Sequence, residues 1–266
     1  NVIRYNKYIY DQNNSANNVN MNGYMVKNPQ FTLSDYLLNI GEYSRGGVGL
    51  RVEDYGDIIL GNSSDATTNH EINLLAGSEG NAGIYLRGSE SVTTTFEPEP
   101  LWNPGYTEET ADLLGFLGAR VTTDGLIMNI DGNKQVGAQL EEYGYFYHKN
   151  GSINVNGTNN TGIAVKTDGT AELSNTGIIN VSAGNLGVYN DGTFYLYGGN
   201  ITGNNSGSKS FIGGGVMNDN GATFIMYGGR ITNNIAEHGG GVYNSPKDTY
   251  PNKQTVFKMY GGKISR

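Results

Sequence analysis

The sequence predicts an all-β solenoid of stacked parallel strands with loop insertions, and three observations support this fold class. A two-part motif occurs three times between Gly187 and Arg266. Within the motif, apolar and polar residues alternate with the period of a strand. Glycine accounts for 41 of 266 residues, about twice its usual share, and no amphipathic helix of ordinary length is visible.

The motif has two halves that recur in the same order. The first half is Gly-Val-Tyr/Met-Asn, at 187–190, 215–218 and 241–244. The second half places a phenylalanine and a Tyr-Gly-Gly turn ahead of an isoleucine, at 193–202, 223–232 and 256–265. One such unit cannot bury its apolar face alone, so the units are expected to stack on one another.

Alternation within the second half assigns the inner and outer side chains. The inner face is expected to hold Phe194, Leu196, Phe224, Met226, Phe257 and Met259. The outer face is expected to hold Tyr195, Ile225 and Lys258. The Gly-Gly pair then turns the chain, because glycine accepts backbone angles that other residues avoid. Beyond the turn, Ile201, Ile231 and Ile264 point inward again.

Weaker copies of the first half extend the repeat upstream. Gly137 and Gly162 precede Gly187 at intervals of 25 residues, and segments 47–50, 83–86 and 118–121 look like earlier members. The predicted organisation is an amino-terminal segment with a cap at 1–45 and a solenoid at 46–266, with insertions at 89–117 and 245–254. We expect about eight units, each adding about 4.8 Å to the stack.

The amino-terminal cap is expected at Phe31 to Ile40. Ser34 or Asp35 stands ahead of an apolar run that begins at Tyr36, which is the pattern of one capped helical turn. A cap is needed because an exposed strand edge invites aggregation.

The insertion at 89–117 is the predicted ligand-binding segment. It holds the only tryptophan, three of the six prolines and a cluster of acidic residues, and Thr107 can begin a short helix. Insertions in repeat proteins lie on one face, often the binding face, and tryptophan is enriched at binding hot spots. The candidate contact residues are Glu97, Glu99, Trp102 and Tyr106. Alternatively, Trp102 only holds the loop against the solenoid.

The repeats also predict side-chain ladders. Asn190, Asn218 and Asn244 should form an interior ladder in which each amide bonds to the next unit. Tyr197, Tyr227 and Tyr260 should form an exterior ladder, which could bind sugar rings or simply stack on itself. Asp-Gly and Asn-Gly pairs at Asp124, Asp168, Asp191 and Asn220 are expected to form equivalent corners.

Charge and motif content exclude several classes of function. A net charge of -8 argues against nucleic acid and anionic lipid as partners, and no apolar stretch is long enough to span a bilayer. His70 and His148 are expected in loops, outside any catalytic or metal constellation. Cysteine is absent, which is common both among cytosolic proteins and among large exported proteins that rely on repeated stacking in place of disulfides. The sequence has no Gly-x-Ser-x-Gly motif, phosphate-binding loop or zinc-ligand spacing, so we expect no enzyme activity, no cofactor and no metal.

The repeats at 187–204 and 239–244 resemble the right-handed parallel β-helix repeats of bacterial surface proteins. The segment 161–181 is similar to autotransporter passenger domains (type V secretion), particularly the large fusobacterial outer-membrane adhesins. The resemblance implies a right-handed parallel β-helix, exported to the bacterial cell surface or secreted, with the passenger itself outside the membrane. It also implies a virulence-associated adhesin that binds a host-cell protein or glycan, or partner bacteria.

Two other functions stay open at this stage. The chain could be a structural shaft that displays a binding tip elsewhere, or a β-helical enzyme that acts on polysaccharides. Because it begins at Asn1 and stops within a repeat unit, we expect a processed or excerpted piece of a longer protein.

Overall fold

The computed structural model describes residues 3–5, 30–33, 36–41, 44–53, 56–61, 70–88, 118–182, 184–203, 210–212, 214–245 and 254–265. Within these residues the chain is all-β: it forms strands and turns and contains no helix. The strands fall into eight consecutive units, in keeping with the number predicted.

The first four units have these strands. Unit 1 contains β1 (Ile3–Tyr5), β2 (Gln30–Leu33) and β3 (Tyr36–Ile40), and unit 2 contains β4 (Val48–Glu53), β5 (Asp57–Leu60) and β6 (His70–Leu74). Unit 3 contains β7 (Ala82–Arg87) and β8 (Arg120–Ile130), and unit 4 contains β9 (Val136–Glu141) and β10 (Tyr145–Val155).

The last four units have these strands. Unit 5 contains β11 (Thr161–Val165) and β12 (Thr170–Val181), and unit 6 contains β13 (Leu186–Asn190), β14 (Thr193–Leu196), β15 (Asn200–Gly203) and β16 (Ser210–Ile212). Unit 7 contains β17 (Val216–Asn218), β18 (Thr223–Met226), β19 (Arg230–Thr232) and β20 (Ala236–His238), and unit 8 contains β21 (Val242–Asn244), β22 (Val256–Met259) and β23 (Lys263–Ser265).

Each unit contributes to two long sheets whose described pairings are parallel. The first sheet has the order β1-β4-β7-β9-β11-β13-β17-β21. The second sheet has a near flank, β2-β5-β8-β10-β12-β14-β18-β22, and a far flank that includes β3, β6, β15, β19 and β23. The long strands β8, β10 and β12 belong to both flanks, so the second sheet bends within them. β16 and β20 pair separately. This arrangement fits a parallel solenoid.

The three copies of the motif stack in register, as predicted. Asn190 lies beside Asn218, and Asn218 beside Asn244. The phenylalanines and the isoleucines form similar columns: Phe194, Phe224 and Phe257 in one, and Ile201, Ile231 and Ile264 in the other. In the turn between these columns, Gly199, Gly229 and Gly262 have φ of 74°, 77° and 90°, which explains why the turn needs glycine.

The core is one continuous apolar column inside the stack. The predicted inward side chains of units 6 and 7 are fully buried: Phe194, Leu196, Ile201, Phe224, Met226 and Ile231. The core continues upstream through Phe146 of β10 and Leu50 of β4. In unit 8 the equivalent residues are less covered, and Met259 is 46% exposed.

A glycine column begins the strands of the first sheet because two backbones approach closely there. A Cβ added at Gly187 would lie 2.6 Å from the carbonyl oxygen of Gly215, and one at Gly162 would lie 2.6 Å from that of Gly187. Real Cβ atoms do not approach a carbonyl oxygen so closely. This contact explains the invariant first residue of the motif in this chain.

Two upstream copies were aligned wrongly from the sequence. Gly49, and not Gly47, lies against Gly83, because Leu50 pairs with Ile84. Segment 118–121 does not belong to the first sheet: Arg120 begins β8 and pairs with Asp57 of β5 in the second sheet. The insertion that precedes it shifts the motif, so glycine spacing alone could not place it.

The predicted helical turn at Phe31 to Ile40 is wrong. The described residues there form β2 and β3, and β3 pairs in parallel with β6. Leu37 is 60% exposed while Ile40 is buried, which follows the alternation of a strand. Backbone pairing with unit 2 satisfies more donors and acceptors than one isolated turn would.

The loop placements of His70 and His148 are also wrong. His70 begins β6 and is buried with Ile72 and Leu74, and His148 lies inside β10 and is fully buried. Both occupy inward positions of alternating strands, so the alternation of the strand places these side chains inside even though they are polar. The Asp124-Gly125 pair likewise lies within β8, whereas Asp168, Asp191 and Asn220 lie where the chain passes from the first sheet to the second.

Candidate functional site

The predicted contact residues Glu97, Glu99, Trp102 and Tyr106 lie outside the described residues, as does the helix proposed at Thr107. The two ends of that insertion are described, and they meet. A Cβ added at Gly88 would lie 3.0 Å from the Cα of Gly118. The insertion therefore leaves and re-enters the stack at one point, between β7 and β8.

Both insertions leave the stack on the same side. The first joins β7 of the first sheet to β8 of the second, and the second joins β21 of the first sheet to β22 of the second. We call this link between the sheets the insertion corner. In other units it is short: Glu142 to Gly144 link β9 to β10, and Asp191 with Gly192 links β13 to β14.

A cluster of tyrosines around one carboxylate covers the outer surface beside this corner. Alternation in β10, β12 and β14 places Phe146, Leu173 and Phe194 inside and leaves the intervening residues outside. Register then stacks Tyr147, Glu172 and Tyr195 from three consecutive units. We call the surface formed by Tyr145, Tyr147, Glu172, Tyr195, Tyr197, Tyr227 and Tyr260 the Tyr-Glu face.

The tyrosine ladder predicted from the repeats is present. The rings of Tyr197 and Tyr227 are 5.1 Å apart at 2° between planes, and those of Tyr227 and Tyr260 are 5.3 Å apart at 15°. Tyr195 stacks on Tyr197 at 5.7 Å. Parallel rings at these separations are offset, so part of each ring face stays uncovered. Tyr197 is 43% exposed and Tyr227 is 46% exposed.

Glu172 is the acidic centre of the face. The hydroxyl of Tyr145 donates a hydrogen bond to its carboxylate, and burial raises the pKa of Glu172 despite that bond. Burial also raises the pKa of Tyr145, with a further contribution from the charge of Glu172. The same two causes raise the pKa of Tyr197 to about 12. These tyrosines therefore remain neutral hydroxyl donors at physiological pH.

Hydroxyl groups and paired charges border the face. Tyr147 Oη lies 2.8 Å from Ser174 Oγ. The guanidinium of Arg120 binds the buried carboxylate of Asp57, with Nε 3.0 Å from Oδ1. Lys149 Nζ lies 3.2 Å from Asp124 Oδ2. Arg120 and Lys149 are thus held by carboxylates of their own, and the face presents hydroxyls, partly uncovered rings and one carboxyl group, with Lys258 in register at its unit 8 end.

Sequence reasoning missed Tyr145, Tyr147 and Glu172 as members of this face. A signal was available, since Tyr147 and Glu172 are separated by the same 25 residues as Gly137 and Gly162. Residues at equal positions in neighbouring units lie side by side, so applying that interval to outward positions would have found the cluster.

His148 and Thr123 are hydrogen-bonded inside the core and do not form a site that a substrate can reach. His148 Nδ1 lies 2.7 Å from Thr123 Oγ1, and both side chains are fully buried. Burial lowers the pKa of His148 to about 4, so the imidazole is neutral at physiological pH. In the described part of the chain, no three residues among His, Cys, Asp and Glu are grouped so as to hold a metal ion.

Across the ranges that the structure describes, we find no helix with the length and hydropathy to cross a membrane. Protein-family models, curated proteins and solved structures were all compared with the chain, and none of them matches it.

Proposed function

We propose that the chain is a right-handed parallel β-helix from the passenger of a bacterial autotransporter, and that it acts as an adhesin. Eight stacked units with parallel pairing support the helix. Right-handedness follows from the strong preference of crossovers between parallel strands of one sheet. The proposed location is the outer bacterial surface, or the medium after release.

The observation that carries the adhesin proposal is that the two insertions leave the stack at equivalent places. Both leave the stack at the insertion corner, in units 3 and 8. A stack that carries these two insertions on one side is a scaffold for display, and insertions of this kind often form the binding face. Trp102, Tyr106, Glu97 and Glu99 of the first insertion are the proposed contacts with a host-cell protein, a host glycan or a partner bacterium.

A purely structural shaft is the second candidate, and a ladder on the far flank favours it. Five outward asparagines, Asn39, Asn73, Asn129, Asn154 and Asn180, hydrogen-bond in series at 2.8 to 2.9 Å. Such a surface satisfies its own amides and needs no ligand. In either case the proposal assigns the chain no catalytic role and no cofactor.

Replacement of the first insertion tests the adhesin proposal. The variant carries a short Gly-Ser link in place of Ser89 to Leu117, and a matched control carries the same link in place of residues 246–253. Binding of both proteins and the parent to epithelial cells and to partner bacteria is measured by flow cytometry, with circular dichroism as the check on folding. We expect the first replacement to lose binding and the control to keep it.

Two results would count against the proposal. If the first replacement binds as the parent does, the residues named in 89–117 are not the contacts. If the folded parent binds neither cell type, the structural shaft is the better description.

A further inference from the structure

We propose that the Tyr-Glu face binds an extended, neutral glycan that lies parallel to the stacking axis. This inference rests on the proposed adhesin function, because it names a class of receptor. It differs from that proposal in place: the contacts lie on the outer surface of the second sheet and not in the insertion at 89–117.

Spacing is the first argument for a glycan. The ladder repeats at 5.1 and 5.3 Å, close to the length that one pyranose residue adds to an extended chain. Successive sugar rings can therefore lie beside successive tyrosines. An extended peptide advances by about 3.3 Å per residue, so its side chains would lose step with the ladder after two units.

Ring chemistry is the second argument. Tyrosine combines an apolar ring with a polar hydroxyl, and a pyranose likewise has an apolar C–H face and a rim of hydroxyls. The partly uncovered rings of Tyr197 and Tyr227 can pack against the C–H face while their hydroxyls bond to the rim. Exposed aromatic rings of this kind, held rigidly by stacking, need little ordering when a ligand binds.

Charge is the third argument, and it selects neutral sugars. Glu172 stands among the tyrosine hydroxyls, and its charge contributes to the raised pKa of both Tyr195 and Tyr197. As a carboxylate it accepts hydrogen bonds from sugar hydroxyls, but it repels the carboxylates of acidic glycans. The net charge of -8 acts in the same direction.

The length of the face sets the size of the ligand. It runs from Tyr145 in unit 4 to Tyr260 in unit 8, which is roughly 20 Å at the spacing of paired strands. A hexasaccharide covers that distance, so six-residue probes are long enough to engage the complete ladder.

Hexasaccharide binding tests the inference. Isothermal titration calorimetry compares the neutral probes cellohexaose and chitohexaose with the acidic probe hexagalacturonate. The variants are Tyr227→Ala in the ladder and Glu172→Gln at its centre. The matched control is Tyr189→Ala, which removes a tyrosine from the outer surface of the first sheet, where Lys166 packs over the ring at 4.7 Å.

The expected result is binding of a neutral hexasaccharide by the parent, with affinity at least about tenfold lower in Tyr227→Ala, as for a truncated hot spot. Glu172→Gln should weaken binding less, and Tyr189→Ala should leave it unchanged. Equal affinity of the parent and Tyr227→Ala, preference for hexagalacturonate, or no binding of either neutral probe would overturn the inference.

The cell-binding assay distinguishes a failure of the glycan inference from a failure of the adhesin proposal. A parent that binds cells but neither neutral hexasaccharide refutes only the glycan inference. Loss of cell binding on replacing 89–117, with hexasaccharide binding retained, assigns the two sites to different surfaces and supports both proposals.

Discussion

Two asparagine ladders run along this stack, one on its inner side and one on its outer side. The inner ladder joins Asn190, Asn218 and Asn244, with each Nδ2 2.7 Å from the next Oδ1. The outer ladder joins five asparagines from Asn39 to Asn180 at nearly the same distance. Stacking in register produces the same hydrogen bond in both places, but the surroundings of the two ladders differ.

Two of the three inner amides have no contact with water, and the third, Asn244 in the last unit, is exposed. Asn190 and Asn218 are fully buried, and each also donates to a backbone carbonyl, at 3.0 Å to Thr223 and 2.9 Å to Val256. The outer amides are exposed or half-buried, so water can replace a lost partner. Burial, and not the geometry of the hydrogen bond, therefore decides how much each ladder contributes to stability.

The largest expected effect comes from placing a charge inside. Ile231→Asp would bury an unpaired carboxylate in the core beside Ile201, and we expect a loss of several kcal/mol in the free energy of unfolding. The matched control is Ile127→Asp, because Ile127 is 42% exposed on the outer side of β8. Urea unfolding measures both. Equal stability of the two variants would show that the inner face is assigned wrongly.

The next largest effect is the pH dependence of stability that the buried His148 causes. Because burial lowers the pKa of His148 to about 4, only the unfolded chain takes up this proton between pH 6.5 and 4. Stability is therefore unaffected above pH 6.5 and falls as the pH is lowered through that window, by about 3 kcal/mol in total.

The measurement for His148 is the pH dependence of unfolding in the parent and in His148→Leu, which introduces the residue found in register at Leu173. The variant should lose the His148 part of the slope while other groups titrate as before. Identical slopes in the two proteins would mean that His148 is not a buried neutral imidazole.

The smallest expected effect is the difference in stability between a variant of the inner asparagine ladder and a variant of the outer one. Asn218→Ala removes one of the two acceptors of the buried Asn190 amide and the side-chain donor to the Val256 carbonyl, and should cost about 2 to 3 kcal/mol. Asn154→Ala in the outer ladder should cost less than about 1 kcal/mol, since water satisfies its neighbours. Thermal unfolding of both variants tests this ranking, and the reverse order would contradict the role given to burial.

The sequence predicted the carboxyl-terminal units well because their motif is nearly identical in three copies. Phe224, Ile231 and Asn218 each have a counterpart one unit away in both directions, so alternation and spacing were enough to place them. The inner asparagine ladder and the outer tyrosine ladder were both predicted correctly for this reason.

The upstream units were harder because insertions change the interval between equivalent residues. Asn73 and Asn129 are bonded neighbours, yet they are 56 residues apart, whereas Asn129 and Asn154 are 25 apart. His148 was misplaced because histidine is usually exposed, and only the inward neighbours Phe146 and Leu173 reveal its environment. The predicted contacts in 89–117 stay predictions.

Parallel stacking in register is the central claim, and a disulfide tests it most directly because the chain has no cysteine of its own. Asn154 and Asn180 are paired in neighbouring units, and Asn180 pairs with Thr202 in the next. Asn154→Cys with Asn180→Cys should form a disulfide readily, since paired strands bring Cα atoms within the 4.4 to 6.8 Å that a disulfide spans. Asn154→Cys with Thr202→Cys, two units apart at roughly 10 Å, should stay reduced under the same oxidation. Efficient cross-linking of the second pair, or none of the first, would contradict the stack.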